Sequence, residues 1–227
     1  MRQAGRRSGT VAIACAALGA CSVLPKAPPP PKVGMPPVER AYSGTELPFA
    51  SEAVYFLLTD RFVDGDLGNN YEGQGGAERG TFDRPIHLDG QLPANIGYLG
   101  GDFRGIADNA GYIADMGFTS VWITPIVDNP DEAFTGGIRP GEGVFTDRGK
   151  TGYHGYWGVN FFVEDEHLVS PGMHFADLTQ TLASEYDMQV ILDVVCNHGS
   201  PAYTMPADQP KYGEIYDRDG VLVADHE

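Results

Sequence analysis

Gln189-Val-Ile-Leu-Asp-Val-Val195, running on into Cys196-Asn197-His198, is the stretch on which the fold turns. It is of strand length, rich in β-branched residues and almost wholly apolar, which predicts a buried β-strand rather than an amphipathic helix. Two earlier runs share its character, Ala53-Val-Tyr-Phe-Leu-Leu58 and Thr119-Ser-Val-Trp-Ile-Thr124. Between them the apolar period lengthens. Ile106, Ala110 and Ile113 fall on one face of a helix expected over 104–116, with Gly117 where a C-cap belongs. Phe175, Leu178, Leu182 and Tyr186 mark a second helix. Strands apolar on both faces and separated by helices form parallel βαβ units, so the class is α/β. An open doubly wound sheet and a closed barrel both satisfy that pattern. Long polar, glycine-rich loops follow each strand at its C-terminal end, where barrel enzymes keep their sites and open sheets also bind ligands. No G-x-G-x-x-G follows the first strand and no P-loop occurs, so nucleotide binding has no support.

Composition narrows the function classes. The chain has 227 residues, 42% hydrophobic and 20% charged, with 30 Gly and a net charge of −16. That is an ordinary globular balance with room for a real core. So acidic a chain repels phosphate backbones, which argues against nucleic acid as a partner. It places no penalty on a neutral sugar and suits divalent cations.

The N-terminus reads as export machinery rather than fold. Arg2, Arg6 and Arg7 precede a short apolar run over 10–20, too short for a finished membrane span. Residues 1–20 are therefore expected to be a signal peptide. The ending Leu18-Gly19-Ala20-Cys21 resembles the lipobox of bacterial lipoproteins, which implies lipidation of Cys21; an ordinary secretory signal containing a cysteine is the other reading. Proline density over 25–37 makes a stiff spacer, so 21–40 is expected to tether a domain to a membrane through the lipid alone. The localisation expected is the cell envelope, periplasmic or at the cell surface, or otherwise secreted. Cys196 is left single, so no disulfide framework is expected in the domain.

Four clusters carry chemistry. Asp64, Asp66, Asn69 and Asn70 place four oxygen-bearing side chains within seven residues, which suits a hard cation. The loop is no EF-hand, because Gly68 and Gly75 stand where ligands are needed. Asp, Gly and Asn are also the commonest turn residues, so the loop alone reads as a turn. Gly100-Gly101-Asp102 opens the first helix, where a lone acid can simply cap. Gly152-Tyr-His-Gly-Tyr-Trp-Gly158 offers flat rings for the apolar faces of a sugar and polar groups for its hydroxyls; it also reads as a packed loop. Asp193 lies in the apolar run, costly there unless paired or functional, with Asn197 and His198 just beyond.

Taken together, these clusters resemble the α-amylase family, glycoside hydrolase family 13. Asp193-x-x-x-Asn197-His198 matches its first signature region, and 54–62 resembles its first strand. Asp64-Gly-Asp-x-x-Asn-Asn70 with Gly100-Gly-Asp102 resembles the calcium site of cyclodextrin glucanotransferases and related bacterial amylases. Tyr153-His-Gly-Tyr-Trp157 resembles the loop lining the sugar subsite beside the cleaved bond. The resemblance implies a (β/α)₈ barrel of TIM type, with about the first three strand–helix units in 41–197 and the start of an inserted excursion after strand three in 198–227. It implies calcium bound by Asp64, Asp66, Asn69, Asn70, Gly100 and Asp102, and a second calcium site to which Asn197 contributes. His154, Tyr156 and His198 would hydrogen-bond the glucose unit being cleaved, and Asp193 would orient an arginine elsewhere in the barrel. The partner implied is an α-glucan: starch, maltodextrin or cyclodextrin.

The family cleaves with an aspartate nucleophile, a glutamate acid/base and a further aspartate on strands four, five and seven. No residue here matches those positions, so no catalytic carboxylate is assigned. The expectation is an N-terminal part of a hydrolase or glucanotransferase, inactive as written. A non-catalytic envelope protein binding glucan or calcium is the alternative, and a different barrel enzyme is the third.

Overall fold

The computed structural model describes residues 48–74, 80–86, 94–137, 148–201 and 211–224. The proposed signal, Cys21 and the proline tether lie outside these residues. The chain divides into two compact units, 1–41 and 42–227, and every described residue belongs to the second.

Three parallel strands form the central sheet: β1 (Val54–Leu57), β4 (Ser120–Ile123) and β7 (Gln189–Leu192), in the order β1-β4-β7. Each coincides with the core of an apolar run, with Tyr55 opposite Val121 and Val121 opposite Val190. Helix α3 (Phe175–Tyr186) spans the four residues that marked it, and Asp187 closes it in the left-handed conformation. The first helix differs from expectation. It is two short helices, α1 (Phe103–Asp108) and α2 (Ala110–Asp115), broken at Asn109. The Asn109 amide donates back to the Gly105 carbonyl at 2.8 Å, and this local bond competes with the helical ladder.

Pleat alternation sorts the strands into two faces. Leu57, Val121 and Ile123 are buried against Ile106, Ile113, Leu178 and Leu182, and these make the hydrophobic core. The other face is bare: Phe56 is 53% and Trp122 40% exposed, their rings edge to face at 5.1 Å. Burial of both strand faces, expected from the run of apolar residues, therefore does not hold among the described residues. The three strands make an open sheet and no closed barrel.

The loops carry structure that hydrophobic period cannot reveal. β2 (Pro85–Ile86) and β3 (Ala94–Asn95) pair within the loop after β1. β5 (Val127–Asp128) and β6 (Asn160–Glu164), from the loop after β4, join β8 (Ile215–Tyr216) and β9 (Leu222–Ala224) in a second sheet of order β5-β6-β8-β9. Among the described residues no helix is long and apolar enough to cross a membrane.

Candidate functional site at the strand ends

Asp193 sits just past the end of β7, half-buried, rather than inside a buried strand. Its N–H still reaches the Ile123 carbonyl at 3.2 Å, which anchors it to the sheet while the carboxylate stands at the strand mouth. The Tyr156 hydroxyl donates to Asp193 Oδ2 at 2.9 Å. Burial, with the hydrogen bond and charge of Asp193, pushes the Tyr156 phenol above its ordinary range. The loop after β4 is thereby joined to the end of β7.

Several contacts hold that loop in shape. The Asn129 side chain accepts from the Trp157 N–H at 2.8 Å and donates to the Val127 carbonyl at 2.7 Å. Gly155 has φ +80°, and a side chain there would run into the Pro125 carbonyl, so only glycine fits. His154 Nδ1 accepts from the Tyr156 N–H at 3.0 Å, which makes Nε2 the protonated nitrogen of the neutral ring. Tyr153, Tyr156 and Trp157 surround the imidazole, with ring centroids 5.1, 5.8 and 4.7 Å away. The Arg61 guanidinium lies 3.8 Å over the Tyr153 ring and donates to the Gly97 carbonyl at 2.7 Å. The result is an aromatic, hydrogen-bonding surface next to a carboxylate. Asn197 and His198 are exposed beyond β7, with the Asn197 amide 3.4 Å from His198 Nδ1.

The structure also brings together the residues expected to bind calcium. Asp102, fully buried, accepts from the N–H groups of Gly65 at 3.2 Å, Asp66 at 2.8 Å and Gly105 at 2.6 Å, and from the Asn69 amide at 3.2 Å. It caps α1 and folds the 64–70 loop onto itself. Asp60, to which the sequence assigned no role, completes the frame: its carboxylate accepts from the Leu99 and Gly100 N–H groups at 3.0 and 3.1 Å. Burial pushes its carboxyl up to about 6, against the opposing charge of Arg61. Within this frame Asp64 Oδ1, Asn69 Oδ1 and Asn70 Oδ1 are buried without a hydrogen-bond partner. A side chain at Gly100 would run into Asn70 Oδ1 and Asp64 Oδ2, so the glycine backbone borders the same oxygens. Buried oxygens without donors are costly. This set fits a hard cation. Asp66, by contrast, turns Oδ1 to the Gly68 N–H at 2.9 Å.

A second acidic group was not expected. Asp165, Glu166 and His167 lie together, as do Asp128, Asp131 and Glu166. Burial, with the nearby Asp165 charge, raises the Asp128 carboxyl to about 7. Burial would lower His167, but its bond to Asp165 and the surrounding acids raise it on balance. The sequence signal was Asp165-Glu-His167 in a loop, indistinguishable from surface charge.

Residues 56–220 match the model of the α-amylase catalytic domain. The chain belongs to the α-amylase family. The cyclomaltodextrin glucanotransferase of Klebsiella oxytoca is 36% identical over 184 residues, which covers 80% of this chain and 23% of that protein. The α-amylase of Niallia circulans is 31% identical over 176 residues, covering 77% and 29%. A crystal structure of a cyclomaltodextrin glucanotransferase with a three-domain ABC distribution superposes with a TM-score of 0.56 at 33% identity, over 78% of this chain and 31% of that one. The chain thus spans about a quarter of the length of these curated relatives. Family membership implies a domain of the TIM-barrel class.

Proposed function

We propose that this chain supplies the first three strand–helix units of a (β/α)₈ barrel that acts on α-1,4-glucosidic bonds of starch-like glucans. The observation that carries this reading is the Tyr156–Asp193 hydrogen bond, which joins the aromatic loop to the strand-end carboxylate. His154, Tyr156 and His198 are proposed to bind the glucose unit at the cleaved bond, and Asp193 to hold the site together. Aromatic rings beside N–H and O–H donors suit a sugar, since its ring has apolar faces and a polar rim.

In the family's retaining chemistry two carboxyls stand about 5–5.5 Å apart across the bond, one as nucleophile and one as acid/base. We assign neither role to a residue of this chain. The roles proposed here are binding and orientation, and the chain by itself is expected not to cleave glucan.

We further propose a calcium ion held by Asp64, Asp66, Asn69, Asn70, the Gly100 carbonyl and Asp102, and a second involving Asn197. The three unpartnered oxygens of Asp64, Asn69 and Asn70 support the first of these. Such an ion would supply charge that cross-links the loop after β1 to the start of α1. As Asp102 Oδ2 already accepts from the Asn69 amide, the oxygen that Asn69 leaves free is its Oδ1. Export through residues 1–20 and anchoring by a lipid on Cys21 belong to the same proposal.

The test is isothermal titration of the full chain with maltoheptaose and with a β-linked glucan of similar length. Weak binding of the α-linked sugar alone, lost in Asp193→Ala, is expected. Equal binding of both sugars, or binding indifferent to Asp193→Ala, overturns the reading.

A further inference from the structure

The acidic group around Glu166 shares none of the residues proposed above to bind calcium or sugar. Its geometry is built on one shared member. The ligand-type atoms of Asp165, Glu166 and His167 lie within 4.8 Å of one another, and so do those of Asp128, Asp131 and Glu166. Four carboxylates from three segments of chain therefore converge: β5, the turn after it, and the loop after β6. Among the described residues Lys211 is a cation fixed beside them, its ammonium 3.0 Å from both oxygens of Asp131. His167 adds a second charge when protonated.

The interior beside this group carries an independent sign of a guest. Tyr98 is only 3% exposed, and its hydroxyl is buried with no hydrogen-bond partner. Its ring stacks on His167, with centroids 3.8 Å apart and planes 5° from parallel. Tyr98 and Asp165 line the same small cavity, together with Thr124, Asn129 and Gly152. The cavity measures about 10 Å³, room for a single water-sized guest. The cavity shared with Asp165 and the stacking on His167 place Tyr98 beside the acidic group. An unsatisfied buried hydroxyl is costly, and a metal-bound water in the cavity would satisfy it.

The donor set names the class of ion. His167 Nδ1, the nitrogen beside the carboxylates, is engaged at 2.9 Å by Asp165 Oδ1, while Nε2 is buried without a partner. Gln74 likewise steadies Glu166 Oε1 through its amide at 2.7 Å. What remains for an ion is oxygen, from several carboxylates in loops, which is the preference of calcium. We propose that Glu166, with Asp128, Asp131 and Asp165, forms a divalent-cation site of the calcium class, its bound water reaching the Tyr98 hydroxyl.

In this arrangement Lys211 is the competitor already in place, neutralising Asp131 when no ion is bound. Removing it should tighten the site, whereas removing a merely structural ion pair would only loosen the fold.

The test is calcium titration of the chelator-treated full chain by calorimetry. Glu166→Gln and Asp128→Asn should each lower the number of calcium ions bound by one, and Lys211→Met should tighten that ion roughly tenfold. Circular dichroism checks that each variant is folded, and if Glu166→Gln is not, the other two carry the test. An unchanged calcium number in Asp128→Asn, or Lys211→Met with unchanged or weaker binding, overturns the proposal. So does zinc binding lost in His167→Gln where calcium does not bind. Asp64→Asn separates this inference from the reading above. If it removes the only calcium bound, the Glu166 site fails and the Asp64 site stands. If calcium binding survives Asp64→Asn and is lost in Asp128→Asn, the reverse holds.

Discussion

Tyr156 and Asp193, 37 positions apart, are joined by a 2.9 Å hydrogen bond from the phenol to the carboxylate. The bond links the loop after the second strand to the mouth of the third, and it fixes one oxygen of Asp193 in place. Hydrogen bonds to a charged group contribute about 1.5–3 kcal/mol, less when solvent reaches them. Tyr156→Phe keeps the ring and removes the donor. It should weaken maltoheptaose binding roughly fivefold to tenfold and lower the melting temperature by about a few degrees. Titration and thermal melting together check this.

Asp102 is first a scaffold, because its two oxygens accept four N–H donors from two segments, the 64–70 loop and α1. Asp102→Ala removes the cap of α1 and leaves the Gly65 and Asp66 N–H groups without their acceptor. The expected loss of stability is about 2–4 kcal/mol, even with chelator present. Urea denaturation measures it. A loss seen only when calcium is supplied would make Asp102 a ligand and little else.

Asp64 carries the opposite expectation. Its Oδ1 is buried without a partner, so Asp64→Asn removes charge with little loss of hydrogen bonding in the calcium-free chain. The variant should resemble the unaltered chain in chelator and differ from it in calcium. Limited proteolysis within 60–74 should then be calcium-protected in the unaltered chain and unprotected in Asp64→Asn.

Much of this arrangement was legible in the residues. The three central strands stand out because continuous apolar runs have few alternatives to a sheet, and α3 because four apolar residues share one face over twelve positions. The break at Asn109 was not legible, since it depends on a side chain choosing the Gly105 carbonyl over solvent. Nor was the second sheet. β5 and β8 have two residues each, too few to show any period, and their pairing is set by segments far apart in sequence. Clustering of Asp128, Asp131, Asp165 and Glu166 is likewise a product of that pairing. The loop over 152–158 stands out by its aromatic content, but Asn129, which holds it, gave no signal beyond its place before Pro130.

The proposed anchor is tested apart from the fold. Mass spectrometry of protein produced in a bacterium with lipoprotein processing should find a chain starting at Cys21 with two or three acyl groups. One acyl chain binds a membrane only marginally, and two or three hold it. Unacylated protein in the medium, cut at another residue, would contradict the anchor.

The central claim is that the strand-end loops form a site for α-glucan, and amide chemical shifts of the full chain titrated with maltoheptaose test it most directly. The account predicts shifts concentrated over 153–158 and 193–198, with Tyr156 and Asp193 among the largest. Shifts scattered over the exposed face of the sheet, or absent at saturating sugar, would contradict it.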